Sequence, residues 1–230
     1  MSDRTMKFSY QLLSYFAAIT AAAVFGLSAE SAAAQNATSP IAGTTSQARA
    51  EFKRLLDLQA ALKKITMNRQ DREPHRSFLK KNEKNIVYSE PSAEYYVQSR
   101  LFWSLSEKYN HLPIADEIAW AAARNPLPGE CEGYLNCYLY VIRTTDIEYL
   151  SRYPNGKYSK QALRELISGL ESTVADLGKN EMHTGPAEAS ERAELAKMLG
   201  EMLTIVSKVP HPEASQLLSQ LKRIGETYRQ

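Results

Sequence analysis

Two stretches decide the fold: KYNHLPIADEI at residues 108–118 and RYPNGKYSKQA at residues 152–162, which align without gaps. In each stretch, a basic residue and a tyrosine end one predicted helix, a turn follows, and an apolar residue begins the next helix. The tyrosines are Tyr109 and Tyr153, and the apolar residues five positions later are Ile114 and Tyr158. A tyrosine packed over each turn leaves one side of the helix pair apolar, so the pairs must stack on one another. The stretches therefore predict an all-α protein built from antiparallel helix pairs.

The second stretch resembles the turn of tetratricopeptide-like repeats in bacterial envelope proteins, such as the lipoprotein of the outer-membrane barrel-assembly machinery and the periplasmic Tol-Pal coordinator. Residues that match the pattern Tyr-Pro-x-x-x-Tyr-x-x-x-Ala are Tyr153, Pro154, Tyr158 and Ala162 and, more loosely, Tyr109, Ile114 and Ile118. The resemblance implies a right-handed array of helix pairs that binds a protein or peptide partner. The separation of 44 residues exceeds the usual repeat period of about 34. The alternative is that two unrelated helical joints share the same turn chemistry.

Apolar residues at helical spacing predict about seven helices in total. The predicted ranges are 45–68, 92–109, 114–124, 132–152, 163–177, 195–206 and 217–228. The fourth helix contains residues 138–142, which favour strands, but a lone strand has no partner here. It also contains Thr144 and Thr145, where we expect an interruption with Asp146 in a new first turn.

The first 34 residues have the three-part pattern of an export signal. Arg4 and Lys7 precede an apolar run that ends near Leu27, and small residues at 31–34 predict cleavage after Ala34. Retention of the apolar run as a membrane anchor is the alternative. We predict a signal peptide at 1–34, a flexible leader at 35–44 and a single helical domain at 45–230. The mature protein is expected in the periplasm or outside the cell, without stable membrane insertion.

Cys131 and Cys137 are the two cysteines of the chain, with Gly133 between them. In an oxidising compartment this spacing predicts one local disulfide that links a loop to the first turns of the next helix. A redox-active pair would have Cys-x-x-Cys spacing and a cationic neighbour. A metal site would need further ligands, and the four histidines lack ligand spacing. We therefore expect neither a metal nor a cofactor.

The net charge of +2 argues against a nucleic-acid partner, which would require a broadly basic face. Residues 63–84 nevertheless hold eight basic and three acidic residues. A basic patch is predicted at Arg76, Lys80, Lys81 and Lys84. It would contact an anionic envelope polymer or lipid headgroups. The alternative interpretation is a solvated helix end and loop.

No nucleophile elbow, phosphate-binding glycine loop or metalloprotease motif occurs in the sequence. Two acidic pairs are unsuited to acid–base catalysis. The carboxylates of Asp116 and Glu117 point in different directions on a helix, and Glu130 and Glu132 are expected in an exposed loop. Five aromatic residues are predicted to line a partner-binding groove: Trp103, Trp120, Tyr134, Tyr138 and Tyr140. The alternative is that they are buried in the core, as aromatic residues at helical spacing usually are.

These observations give two hypotheses of different classes. The first is an exported, non-catalytic helical-repeat protein that binds a protein or peptide partner in the bacterial envelope. The second is an envelope enzyme or small-ligand binder with a site near Trp120 and the loop between Cys131 and Cys137. A purely structural protein whose basic segment touches an anionic polymer is a third possibility.

Overall fold

A computed structural model describes residues 40–177, 185–186 and 188–228 of the chain. The α-helices are α1 (Pro40–Leu62), α2 (His75–Asn82), α3 (Ser99–Lys108), α4 (Ile114–Ala123), α5 (Leu135–Ile142), α6 (Glu148–Arg152), α7 (Ser159–Ala175), α8 (Ala189–Val206) and α9 (Glu213–Thr227). A 3₁₀ turn (Met67–Arg69), a π-helical turn (Arg143–Ile147) and two short strands, β1 (Ile86–Ser89) and β2 (Glu94–Val97), complete the described elements. The predominantly helical fold predicted from the sequence is therefore confirmed. The predicted signal peptide, residues 1–34, lies outside the described residues.

The first helix differs from its predicted bounds at both ends. It begins at Pro40, within the segment 35–44 predicted as a flexible leader, and it ends at Leu62 instead of near Asn68. Residues 35–39 of that segment lie outside the described part of the chain. The early end has a local cause, because Lys64 and Ile65 already make tighter i→i−3 backbone bonds to Ala61 and Leu62.

The strands form an antiparallel hairpin where the sequence predicted the start of a helix after Pro91. Ile86 pairs with Val97, and both are buried. The turn is closed by a hydrogen bond from the Ala93 N–H to the Glu90 carbonyl. The Val97 N–H donates to Oε1 of Gln59 in α1 at 2.8 Å. The helix prediction was wrong at this point because α1 supplies both the apolar surface and the hydrogen-bond acceptor that stabilise an extended chain.

The apolar residues form two cores that share α4 as a common wall. One core joins α1, α2, the hairpin and α3, and it includes the edge-to-face pair Phe52 and Phe102 with ring centroids 6.3 Å apart. The other joins α5 to α9 around the fully buried Tyr149. On α4, Ile118 packs into the first core and Ala119 into the second. Adjacent positions on a helix point in different directions, so one helix serves both cores.

The helix predicted at 132–152 is observed as α5, the π-helical turn and α6. The prediction that residues 138–142 are helical is confirmed. The expected interruption occurs at Thr144 and Thr145, but it is not a new helix start. The Thr145 hydroxyl donates to the Val141 carbonyl at 2.8 Å, and such bonds to the preceding turn bend a helix.

Candidate functional site

The two turns identified in the sequence have equivalent backbone hydrogen bonds. We call residues 109–113 the first turn and residues 153–158 the second turn. In both, the tyrosine N–H bonds back into the preceding helix, and two i→i−3 bonds then carry the chain into the next helix. The bonds of the first turn are Tyr109 N to Leu105 O (3.2 Å), Leu112 N to Tyr109 O (2.8 Å) and Ala115 N to Leu112 O (3.0 Å). Those of the second are Tyr153 N to Tyr149 O (2.9 Å), Gly156 N to Tyr153 O (3.0 Å) and Ser159 N to Gly156 O (3.1 Å).

Each turn tyrosine also bonds to a helix that precedes its own turn. The Tyr109 hydroxyl donates to Oε1 of Glu51 in α1 at 3.0 Å. The Tyr153 hydroxyl shares a hydrogen bond of 2.9 Å with the Ser106 hydroxyl in α3. Each tyrosine therefore holds its turn against a neighbouring helix through a side-chain hydrogen bond.

The second turn is fastened to α4 by a polar cluster. The Tyr149 hydroxyl donates to Oδ1 of Asp116 at 2.5 Å and accepts from the Tyr158 N–H at 3.1 Å. The other carboxylate oxygen of Asp116 accepts from the Lys157 N–H at 2.7 Å. Burial raises the pKa of Tyr149, and its bond to Asp116 acts in the same direction. The hydroxyl thus remains protonated and serves as a structural donor.

Trp120, one of the predicted partner-binding residues, is stacked beside this cluster. Its ring lies parallel to that of Tyr158, with centroids 5.0 Å apart, and the Arg124 guanidinium lies 4.4 Å from its centroid. Arg124 also forms ion pairs with Asp146 and Glu165. Burial raises the pKa of Asp146 to about 6, although the Arg124 charge opposes the shift. Both carboxylates converge on an arginine that occupies the space between them, as in a structural ion-pair network.

The five predicted partner-binding aromatics divide between the core and the surface. Trp103 and Trp120 are partly buried and pack against the apolar cores. Tyr138 is partly buried, whereas Tyr134 and Tyr140 are exposed by 56% and 60%.

The predicted disulfide is confirmed. Cys131 and Cys137 are bonded, with their Cα atoms 5.4 Å apart. The loop between them turns sharply, because Glu132 and Gly133 both have positive φ angles (45° and 85°). Cys137 lies in the first turn of α5, so the bond fixes the loop to the start of this helix, as the spacing predicted.

A groove that sequence reasoning missed lies between α1, the end of α2 and α3. Its volume is about 350 Å³, and it is partly open to solvent. Its apolar side is formed by Leu55, Leu58, Leu101 and Leu105, and its polar side by Glu51, Arg54, Asn82, Asn85, Ser104 and Lys108. Lys108 forms an ion pair with Glu51 at 2.7 Å across the groove. These residues come from three separate segments, so no local motif pointed to them.

The predicted basic patch is located on and just after α2. Lys80 and Lys81 lie in the last turn of this helix, Lys84 follows it, and all three are exposed. Arg76 is exposed as well, but it forms an ion pair with Glu73 at 3.0 Å. The patch is therefore accessible, with one of its four charges compensated.

No protein-family model, no curated protein and no solved structure matches the chain. Within the described part of the chain, no group of three or more His, Cys, Asp or Glu side chains is arranged to hold a metal ion. No described helix combines the length and the apolar character needed to cross a bilayer.

Proposed function

We propose that this chain is an exported, non-catalytic helical-repeat protein that binds a protein or peptide partner in the bacterial cell envelope. The groove between α1 and α3 carries the proposal. An open groove with an apolar floor and a polar rim is the kind of site that takes up a peptide segment. The equivalent hydrogen bonds of the two turns support the repeat architecture, and the disulfide is compatible with export.

The groove offers two kinds of contact to a peptide. Of its four leucines, Leu58 and Leu101 are partly exposed and give an apolar surface for a side chain of the partner, whereas Leu55 and Leu105 are buried. Asn82 and Asn85 lie on its polar side. The Asn82 Nδ2 already donates to the Phe78 carbonyl, so its Oδ1 is the atom that can accept from a peptide N–H, while the Asn85 amide can both donate and accept. This combination gives affinity through burial and orientation through hydrogen bonds.

The charge around the groove selects an acidic partner. Residues 49–84 contain eleven Lys and Arg against five Asp and Glu. Arg54 on the groove wall forms no ion pair with any described residue. We therefore propose a partner segment in which apolar side chains are flanked by carboxylates, because such a segment is attracted to and neutralised by this surface.

The test is to block the groove with a large side chain. Ser104 is an exposed residue of α3 on the groove wall, and Ser104→Trp fills the space beside the leucines. Ser168→Trp on the exposed face of α7 is the matched control. Binding is measured by fluorescence anisotropy with acidic, leucine-containing peptides selected on an array. We expect at least about a tenfold loss for Ser104→Trp and no change for Ser168→Trp, because a hot-spot contact is worth 1.4 kcal/mol or more.

Two results would count against the proposal. One is that no peptide of this class binds the wild-type protein. The other is that both tryptophan variants bind as well as wild type, which would locate the contact elsewhere.

The second candidate function is an enzyme or small-ligand binder near Trp120 and the disulfide loop. The raised pKa of Asp146 favours it, since perturbed carboxyl groups occur often in functional sites. A ligand there would have to displace Arg124 from the Trp120 ring, and that displacement would change the tryptophan fluorescence. A screen of small metabolites against Trp103→Phe protein, in which Trp120 is the remaining tryptophan, tests this candidate directly.

A further inference from the structure

The loop that joins α1 to α2 presents an unusual apolar side chain to solvent. Met67 is 68% exposed, more than any other large apolar residue among those described. It begins the 3₁₀ turn between the two helices. A single exposed apolar residue needs no explanation by itself, so the surroundings of Met67 decide what it means.

The loop is held in place by its own contacts. Ile65, two residues before Met67, is buried at 5% exposure and anchors the loop in the core that joins α1, α2, the hairpin and α3. Gln70, three residues after it, donates from Nε2 to the Ala93 carbonyl of the hairpin turn at 2.8 Å. Met67 is therefore presented outward by a loop that is fixed on both sides.

Cations surround Met67 in the sequence of this loop. Lys63, Lys64, Arg69 and Arg72 are all exposed, and none forms an ion pair with another described residue. The opposing charges are Asp71, which is exposed, and Glu73, which pairs with Arg76. The loop thus carries an uncompensated positive charge next to its exposed apolar side chain.

Basic and acidic residues are also distributed unevenly between the segment that contains this loop and the rest of the chain. Residues 49–84 have eleven basic and five acidic residues, whereas residues 85–230 have fifteen basic and nineteen acidic residues. An excess of basic residues in one segment attracts that segment to an anionic surface, which the acidic remainder of the chain does not favour.

We propose that the loop at 63–72 docks on the surface of an anionic phospholipid bilayer. Lys63, Lys64, Arg69 and Arg72 contact the lipid phosphates, while Met67 enters the interfacial region. A soluble polyanion would pair with the Lys and Arg side chains equally well, but it has no apolar region in which the Met67 side chain could be buried. The exposure of Met67 therefore favours a bilayer as the partner. The proposal shares the basic excess of residues 49–84 with the peptide groove, but none of the residues that contact the bilayer lines that groove.

Vesicle binding tests the proposal. The purified protein is sedimented with vesicles of phosphatidylglycerol and phosphatidylcholine, and with vesicles of phosphatidylcholine alone. We expect binding to the anionic vesicles only, and a loss of binding in moderate salt. Lys63→Ala/Lys64→Ala should lower the partition coefficient about 25-fold, at about fivefold for each cation. The matched control is Lys222→Ala/Arg223→Ala, an exposed basic pair on α9 that should change it little.

A variant of Met67 distinguishes a bilayer partner from a soluble polymer. Met67→Ser should lower vesicle binding several-fold and leave retention on immobilised polyphosphate unchanged, whereas Leu127→Ser, at another exposed apolar residue, should alter neither. The proposal is overturned if anionic vesicles do not bind the protein or if both basic pairs contribute equally. It is also overturned if Met67→Ser has no effect on vesicles, since the partner would then be a polymer. Circular dichroism of each variant shows that the fold is retained.

Discussion

The first and second turns have equivalent backbone hydrogen bonds, but different side chains pack beneath them. The space under the first turn is taken by Leu112, which is buried at 6% exposure. The equivalent position of the second turn is Gly156, where an added Cβ atom would lie 2.4 Å from the Tyr149 hydroxyl oxygen. The second turn therefore rests on a polar cluster, and the first rests on an apolar side chain.

This difference shows that a turn pattern specifies the backbone without specifying what supports it. Both turns place a tyrosine against an earlier helix and then enter the next helix through the same two bonds. The support depends on the neighbouring helix: α4 brings Asp116 to the second turn, and α1 brings Glu51 to the first. Four predictions separate the two kinds of support, in order of decreasing effect.

The largest effect is expected from Leu112→Ala in the first turn. Removal of a buried leucine side chain should lower the free energy of unfolding by about 3 kcal/mol, because it combines lost burial with a residual cavity. Chemical denaturation followed by circular dichroism measures the change. Leu127→Ala is the control, since Leu127 is 46% exposed, and it should cost less than about 0.5 kcal/mol. Equal losses for the two variants would show that Leu112 does not support the turn.

Gly156→Ala should destabilise the second turn by about 2 kcal/mol. The new methyl group would meet the Tyr149 hydroxyl and the Tyr153 Cβ atom, which lies 2.8 Å from its position. Gly169→Ala is the matched control within α7, because nothing lies within 4 Å of its added Cβ atom. That control should raise the unfolding free energy by up to about 1 kcal/mol through helix propensity. If Gly156→Ala is neutral in thermal unfolding, the close contact is not a constraint.

Tyr149→Phe and Tyr109→Phe compare the hydroxyl groups. Tyr149→Phe leaves the Tyr158 N–H and one oxygen of Asp116 without their partner, so we expect a loss of about 1–2 kcal/mol. Tyr109→Phe should cost less than about 1 kcal/mol, because Glu51 keeps its bonds to Lys108. Urea denaturation of both variants measures the difference, and the reverse order would contradict the assignment of the polar cluster as the stronger support.

The fourth prediction is a pH dependence of stability with opposite signs at Glu51, beside the first turn, and at Asp146, in the π-helical turn that precedes α6. Hydrogen bonding from Lys108 lowers the pKa of Glu51, so its contribution to stability is present above the unfolded pKa and is lost as the pH falls through the folded value. Burial raises the pKa of Asp146 to about 6, so its contribution is present at low pH and is lost as the pH rises through that value.

Stability curves at a series of pH values check these signs. Asp146→Asn should remove the loss of stability that wild type shows as the pH rises from roughly 4 to roughly 6.5. Glu51→Gln should instead reduce the loss seen below roughly pH 4.5. A pH profile that neither variant alters would show that both groups titrate normally in the folded protein.

Sequence patterns predicted the C-terminal helices better than the N-terminal region. The stripes beginning at Leu163, Leu195 and Leu217 are long and regular, and α7, α8 and α9 cover them except for Leu177 and Tyr228, which lie just beyond the ends of α7 and α9. The hairpin was missed because its strands have four residues each, too few for an alternating pattern to stand out. Its decisive partner, Gln59, is 38 residues away in sequence from Val97.

The candidate site was less predictable than the fold. Aromatic residues were proposed as a partner-binding set, yet Trp103 and Trp120 are partly buried in the cores, while Tyr134 and Tyr140 are exposed. Residue type alone does not predict which aromatic side chains will be buried in the core. The groove combines leucines and amides from segments that meet only after α1 has packed against α3, so it had no local signal.

The sequence by itself determined the helical character, the bounds of α4, the backbone of the two turns and the bond between Cys131 and Cys137. Each of these follows from residues that lie within a few positions of one another, where spacing and backbone geometry act directly. Tertiary structure decided the hairpin, the groove and the support under each turn. Those features depend on side chains from distant segments, because burial and the pairing of polar groups are settled only when the helices pack together.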